Sequence, residues 1–85
     1  MTNVRIRYWA GARAAAGVER EQFAAPTVTA ALAAASAARA EDPAFRRVLD
    51  VSSVLVGGRR ASAGDLDRML DTDVEVEVLP PFAGG

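Results

Sequence analysis

The sequence closes on Leu79-Pro80-Pro81-Phe82-Ala83-Gly84-Gly85, and little else in it can do chemistry. It contains no cysteine and no histidine, and all ten of its basic residues are arginine. Thiol nucleophiles, imidazole bases, disulfides and most structural zinc sites are thereby excluded. Lysine Schiff bases and a P-loop lysine go with them. Most of the eleven acidic side chains stand singly or on alternating strand positions, with no histidine or cysteine to work with. The reactive group this leaves is the terminal carboxylate of Gly85.

A carboxylate of that kind has a pKa of about 3.5 and is a poor electrophile at neutral pH, so it must be activated before it reacts. To be activated it must enter another protein's site. Gly84 and Gly85 lack Cβ and can thread a narrow channel in conformations barred to other residues. The six residues from Pro80 to Gly85 reach at most about 20 Å. Pro80-Pro81 stiffens the base of this arm and lowers the cost of ordering it on docking. Phe82 is either an aromatic anchor for a partner groove or a residue that folds back on the domain. The plain alternative for the whole segment is a frayed terminus.

Other candidate chemistry is weaker. Asp65, Asp67, Asp71 and Asp73 hint at a calcium loop. The glycine and the terminal glutamate such a loop requires are missing at the necessary spacing. Leu66 and Leu70 read as core, and no metal is expected. The net charge is -1 and the isoelectric point is near 5.3, so the basic footprint of a nucleic-acid binder is absent. No apolar run approaches 18 residues, which argues against a membrane span. The first residues lack the pattern of a signal peptide, which makes the cytoplasm the expected location.

An 85-residue chain is one domain near the lower limit of a self-sufficient core. Many of its apolar residues are alanines, which bury little area each. The expected core therefore leans on Val4, Ile6, Tyr8, Phe23, Val28, Leu32, Phe45, Val48, Leu49, Val54, Val56, Leu66, Leu70, Val74, Val76 and Val78.

The elements follow from periodicity. Residues 3–9 alternate, with Val4, Ile6 and Tyr8 on one side and Arg5, Arg7 and Trp9 on the other, which predicts a half-buried strand. Ala12–Ala16 predicts one or two helical turns closed by Gly17. Residues 18–23 predict a second strand. Thr27, with Thr29 as the fallback, caps an alanine-rich helix over 28–40. Asp42-Pro43 breaks or restarts it, and Ala44–Leu49 adds a further turn or two. Val51–Val56 is a strand that Gly57-Gly58 turns, and Arg59–Ser62 suits a short edge strand. Gly64-Asp65-Leu66 suggests a loop or 3₁₀ turn. Val74, Val76 and Val78 alternate with Glu75 and Glu77 in a last strand, which Pro80-Pro81 stops. The order β-β-α-β-β-β predicts a two-layer α+β domain, one sheet with the main helix on one face.

This order and this tail resemble the ubiquitin-like β-grasp fold. More narrowly, the chain is similar to the small subunit of molybdopterin synthase and its relatives among the ubiquitin-like sulfur carriers. The likeness rests on Val4-Arg5-Ile6-Arg7-Tyr8-Trp9-Ala10, Gly17, Pro26-Thr27-Val28 with Leu32, Val54-Leu55-Val56-Gly57-Gly58-Arg59, and the run from Asp73 to Gly85. Of these, Leu79-Pro80-Pro81-Phe82-Ala83-Gly84-Gly85 is the specific part. Two positions depart from the family: Thr72, where a glycine is frequent, and Arg5 with Arg7, where apolar residues are frequent.

The resemblance implies a β-grasp domain over 1–79, with a mixed sheet of four to five strands, and a flexible tail over 80–85. It implies that the Gly85 carboxylate is adenylated by an E1-like enzyme that uses ATP, then converted by a sulfur donor to a thiocarboxylate. Pro80, Pro81, Phe82, Ala83 and Gly84 would insert into the partner. The chain itself would bind no cofactor. Sulfur would pass to a pterin precursor in the large molybdopterin synthase subunit during molybdenum cofactor biosynthesis. Carriers for thiamin thiazole, cysteine or another thio-metabolite share the same tail chemistry, and covalent protein modifiers share the fold. The resemblance also pairs the first strand with the last, so that Arg5 and Arg7 face Glu75 and Glu77. It puts Leu55 on the sheet face offered to partners, with Trp9 on the same outward register. For both, an isolated exposed apolar residue is the bland alternative.

Overall fold

Alternation at the two ends of the chain produces the strands that organise everything else. The computed structural model describes residues 1–81. Its elements are β1 (Thr2–Tyr8), α1 (Ala10–Ala16), β2 (Arg20–Ala25), α2 (Val28–Ala37), α3 (Pro43–Val51), β3 (Ser53–Val56), β4 (Arg59–Arg60), α4 (Ala63–Asp67) and β5 (Val74–Leu79). The five strands form one sheet in the order β2-β1-β5-β3-β4. β1 and β5 run parallel, and the other neighbours are antiparallel. The sheet is therefore mixed and five-stranded, with β5 in the middle.

Local chemistry sets the element ends. Gly17 closes α1 at φ 79°, a left-handed conformation that glycine adopts without a Cβ penalty. The Thr27 hydroxyl accepts the Ala30 N–H at the start of α2, so the first of the two expected caps is the one used. Gly57 and Gly58 both have positive φ and form the two-residue hairpin between β3 and β4. At α4 the Ser62 hydroxyl accepts the Asp65 N–H while the Asp65 carboxylate accepts the Ser62 N–H. Those bonds hold the Asp65 carboxyl below its ordinary range.

Several elements differ from the sequence reading: α1 starts at Ala10, β4 ends at Arg60, and α4 stands where a loop or 3₁₀ turn was expected. α2 ends at Ala37, three residues early, because Arg39 turns back and its guanidinium donates to the carbonyls of Ala35 and Ala16. α3 is longer than a turn or two. Asp42 caps it and Pro43 occupies its first turn, so two helices, not one, make up most of the helical layer. Val51 belongs to α3 and is exposed, and β3 starts only at Ser53. β2 lies two residues further along than alternation suggested, since pairing with β1 sets its register, Phe23 opposite Val4.

The core lies between the inner sheet face and the helices. Val4, Ile6, Tyr8, Val28, Phe45, Val76 and Val78 are its largest fully buried side chains. Val54 is buried, and Phe23, Leu32, Val48, Leu49, Val56, Leu66, Leu70 and Val74 pack partly buried against them. Alanine contributes more than expected: Ala12, Ala25, Ala31 and Ala35 are all fully inside. Small side chains on α2 let the helix lie close to the sheet. Phe45 meets Tyr8 edge to face, ring centroids 5.6 Å apart. Arg39 spans this corner, with its guanidinium 4.7 Å from the centre of the Phe45 ring and bound to the Glu21 carboxylate. Among the described residues, no helix is long and apolar enough to cross a membrane.

Candidate functional site

β5 delivers the chain to its candidate working end. It is hydrogen-bonded on both sides, to β1 and to β3, and it stops at Leu79. Pro80 is half-buried and Pro81 exposed. Both prolines thus stand directly after the central strand, where the sequence reading put the base of the arm. Phe82, Ala83, Gly84 and Gly85, on which the anchor and carboxylate expectations rest, lie outside the described residues. At the root, the Trp9 backbone N–H donates to the Val78 carbonyl at 3.1 Å. Trp9 therefore sits beside the point where the chain leaves the sheet.

The outer face of the sheet is built by the same alternation that buries Val4, Ile6, Val76 and Val78. Register places Arg20, Arg7, Glu77, Leu55 and Arg60 in one continuous row across all five strands. Gln22, Arg5 and Glu75 form part of the next row, and Leu79 lies beside Ser53 beyond the first. Part of this face is an open depression of about 680 Å³ between Arg20 on one side and the Gly57-Gly58 turn on the other.

Trp9 and Leu55 are brought together on this face around Glu77. The Trp9 indole N–H donates to Glu77 Oε1 at 3.0 Å, and Leu55 is the register neighbour of Glu77 on β3. The Arg7 guanidinium stacks 3.9 Å from the centre of the Trp9 ring, an interaction worth about 0.5–1 kcal/mol at such a site. The expected cross-strand pairing is half realised as ion pairs. Arg5 reaches Glu75 at 3.6 Å and Asp73 at 3.9 Å. Arg7 faces Glu77 in register but pairs with Glu19 at 3.5 Å. These exposed pairs are worth at most about 1 kcal/mol each. Asp73 also accepts the Asn3 N–H, which with the nearby Arg5 holds its carboxyl below the ordinary range.

The sequence reading missed Leu79, Arg20 and Arg60 as members of this face. Leu79 was legible from period two after Glu75 and Glu77. Arg20 and Arg60 were not, because only the strand order brings β2 and β4 to opposite edges of one surface. Three of the four aspartates have individual structural uses: Asp65 completes the cap of α4, Asp67 accepts the Thr29 hydroxyl, and Asp73 accepts the Asn3 N–H. Among the described residues, no group of three potential metal ligands converges.

No family model matches the sequence, and no curated protein matches it significantly. Solved structures do match the fold over its whole length. Small archaeal modifier protein 1 from Methanosarcina acetivorans is 22% identical with a TM-score of 0.78, covering 100% of this chain and 98% of its own. The chain has the ubiquitin-like β-grasp fold. Small archaeal modifier protein 1 from Haloferax volcanii is 26% identical with a TM-score of 0.77, covering 98% of this β-grasp chain and 99% of its own. Subunit 1 of the molybdopterin-converting factor from Helicobacter pylori, solved in complex with subunit 2, is 18% identical with a TM-score of 0.67, covering 99% and 100%. The resemblance to the molybdopterin synthase small subunit and its ubiquitin-like relatives, read first from strand patterns and tail, thus extends to the whole β-grasp domain.

Proposed function

We propose that the chain is a ubiquitin-like sulfur carrier whose Gly85 carboxylate is the functional group. The observation that carries this reading is the coupling of β5, the central strand of a β-grasp sheet, through Pro80-Pro81 to Gly84-Gly85. An E1-like adenylating enzyme brings the Gly85 carboxylate onto the α-phosphorus of ATP, and pyrophosphate leaves. A donor at the oxidation level of sulfide then attacks the acyl carbon, AMP leaves, and a thiocarboxylate remains. Pro80, Pro81, Phe82, Ala83 and Gly84 insert into the partner, and the outer face around Trp9 and Leu55 docks it. All of this takes place in the cytoplasm.

The finer reading is that the thiocarboxylate serves molybdopterin synthase as its small subunit, inserted into a large subunit that holds the pterin precursor. The tail Pro80-Pro81-Phe82-Ala83-Gly84-Gly85 and the fold shared with subunit 1 of a converting factor support it. Intact mass spectrometry tests the chemistry. Incubation with the adenylating enzyme of the same organism, ATP and sulfide should raise the mass by about 16 Da, the exchange of oxygen for sulfur on a carboxylate. Deletion of Gly85 should abolish the gain with the fold intact. An unchanged mass for the full chain would sink the carrier reading.

A second reading is favoured by the likeness to small archaeal modifier proteins: the activated Gly85 is joined to an amine of a target protein. The two diverge after adenylation. Higher-mass conjugates in cell extract that disappear on removal of Gly84-Gly85 would mark the modifier, and co-purification with a large converting-factor subunit would mark the synthase.

A further inference from the structure

The row Arg20–Arg7–Glu77–Leu55–Arg60 carries charges at its centre and at both ends that form no ion pair among the described residues. Arg20 and Arg60 are exposed, at the β2 and β4 edges of the sheet. Neither forms an ion pair among the described residues, and neither does Glu77, half-buried at the centre. Glu77 accepts one hydrogen bond, from the Trp9 indole, and that bond occupies only its Oε1. Arg7, the cation beside it, is taken up by Glu19 and the Trp9 ring. Strands lie about 4.8 Å apart, so Arg20 and Arg60 each stand two strands, about 10 Å, from Glu77.

We propose, resting on the carrier reading, that this row is the specificity code for the partner protein. The partner's docking surface presents a cation over Glu77, flanked by two carboxylates about 10 Å to either side, over Arg20 and Arg60. Apolar side chains of that surface cover Leu55, Leu79 and the Trp9 edge between the charges. Charges at the rim set encounter rate and register, while a charge at the centre sets affinity and rejects wrong partners. The central carboxylate argues for a protein over a polyanion. A nucleic acid or an anionic lipid surface would gain from Arg20 and Arg60 but be repelled by Glu77, and by Glu75 in the next row.

The test is the association kinetics of the full chain with the adenylating enzyme and the large converting-factor subunit of the same organism, at 50 and 500 mM salt. Arg20→Glu and Arg60→Glu should each slow association about threefold to tenfold at low salt, and the double variant should lose most of the salt dependence. Arg20→Gln and Arg60→Gln, which retain bulk without charge, should show smaller losses of the same sign if a reversal disturbs the sheet. Glu77→Gln keeps an acceptor for the Trp9 indole and should weaken binding about threefold or more. Rates within twofold of wild type for all of these would overturn the code. So would tighter binding by Glu77→Gln together with capture of a single-stranded oligonucleotide, the polyanion outcome. The wild-type mass gain of about 16 Da, measured on the same preparations, separates the two failures. With that gain present, unchanged kinetics reject only the charge row; without it, the carrier reading itself fails.

Discussion

Raising the pH above 10 should destabilise this protein through a single side chain. Tyr8 is the only tyrosine, and the chain has no cysteine and no lysine, so no other side chain titrates between pH 10 and 12. Tyr8 is 1% exposed. Burial pushes its phenol far above the ordinary value of 10, and the Glu21 carboxylate adds to the rise while Arg39 partly opposes it. Among the described residues its hydroxyl has no well-formed hydrogen bond, although Glu21 lies near enough to act on it. The sign follows from which state binds the proton. Above pH 10 the unfolded chain gives up the phenolic proton and the folded chain keeps it. Stability is therefore full below pH 10 and falls as pH rises, by about 1.4 kcal/mol per unit and so about 2–3 kcal/mol by pH 12. For 85 residues, total stability is on the order of 4–13 kcal/mol, so the loss is large. Urea unfolding followed by far-ultraviolet circular dichroism from pH 8 to 12 measures it. Tyr8→Phe keeps the ring against Phe45 and should flatten the profile. An equal alkaline loss in Tyr8→Phe, or a flat wild-type profile, would refute the argument.

Arg39→Met should cost about 2–4 kcal/mol, since it strips a nearly buried Glu21 of its partner and two backbone carbonyls of their donor; Glu21→Gln combined with Arg39→Met should cost less than the sum of the two, and a denaturation double-mutant cycle that proves additive would count against the pair. Ala35→Leu, on the fully buried face of α2, should overpack the helix–sheet contact and lower stability by about 1–3 kcal/mol, read as a melting-temperature drop of about 4–8 °C per kcal/mol. Gly57→Ala, at φ 58° in the hairpin turn, meets open space but a strained backbone, and should cost about 1–2 kcal/mol in the same melt. Replacing Pro80 and Pro81 together by glycine should leave the melt nearly unchanged while reducing thiolation efficiency severalfold, because about 0.4–1 kcal/mol of restraint is lost per residue; equal efficiency would show that stiffness at the root is not used.

Strands with clean alternation were legible because their side chains sort into two faces by themselves. Val74 to Leu79 came out with the bounds the pattern gave, and Arg5 and Arg7 lie opposite Glu75 and Glu77 in register as the resemblance implied. The alanine-rich helix was legible in type but not in length. Nothing in Ala37–Ala40 signals an end, and the end is imposed by what Arg39 reaches in α1 and β2. The value of alanine as core was equally hidden, since Ala31 and Ala35 are buried by proximity to the sheet and not by their own hydrophobicity. The outer face was half legible. Trp9 and Leu55 were on the correct register, but the link between them is Glu77, read from sequence as the partner of Arg7 and not of Trp9. Arg20 and Arg60 are forty residues apart in a chain whose strand order alone puts them in one row.

The proposed docking face and the tail are linked through the chain, because β5 carries part of the face and runs directly into Pro80. Glu77 sits in the middle of the outer face and Leu79 ends the strand two residues later. The tail therefore starts from a point fixed relative to the charge row, with Trp9 bonded to Val78 at the same place. From that point Pro80 to Gly85 spans at most about 20 Å, so a partner that meets the row must have its reactive site within that radius of the end of β5. Few surfaces satisfy both demands at once. On the carrier reading, the activating chemistry belongs to the partner enzyme. What this chain would contribute is geometry, since the same central strand that carries the proposed recognition surface sets how far the carboxylate can travel.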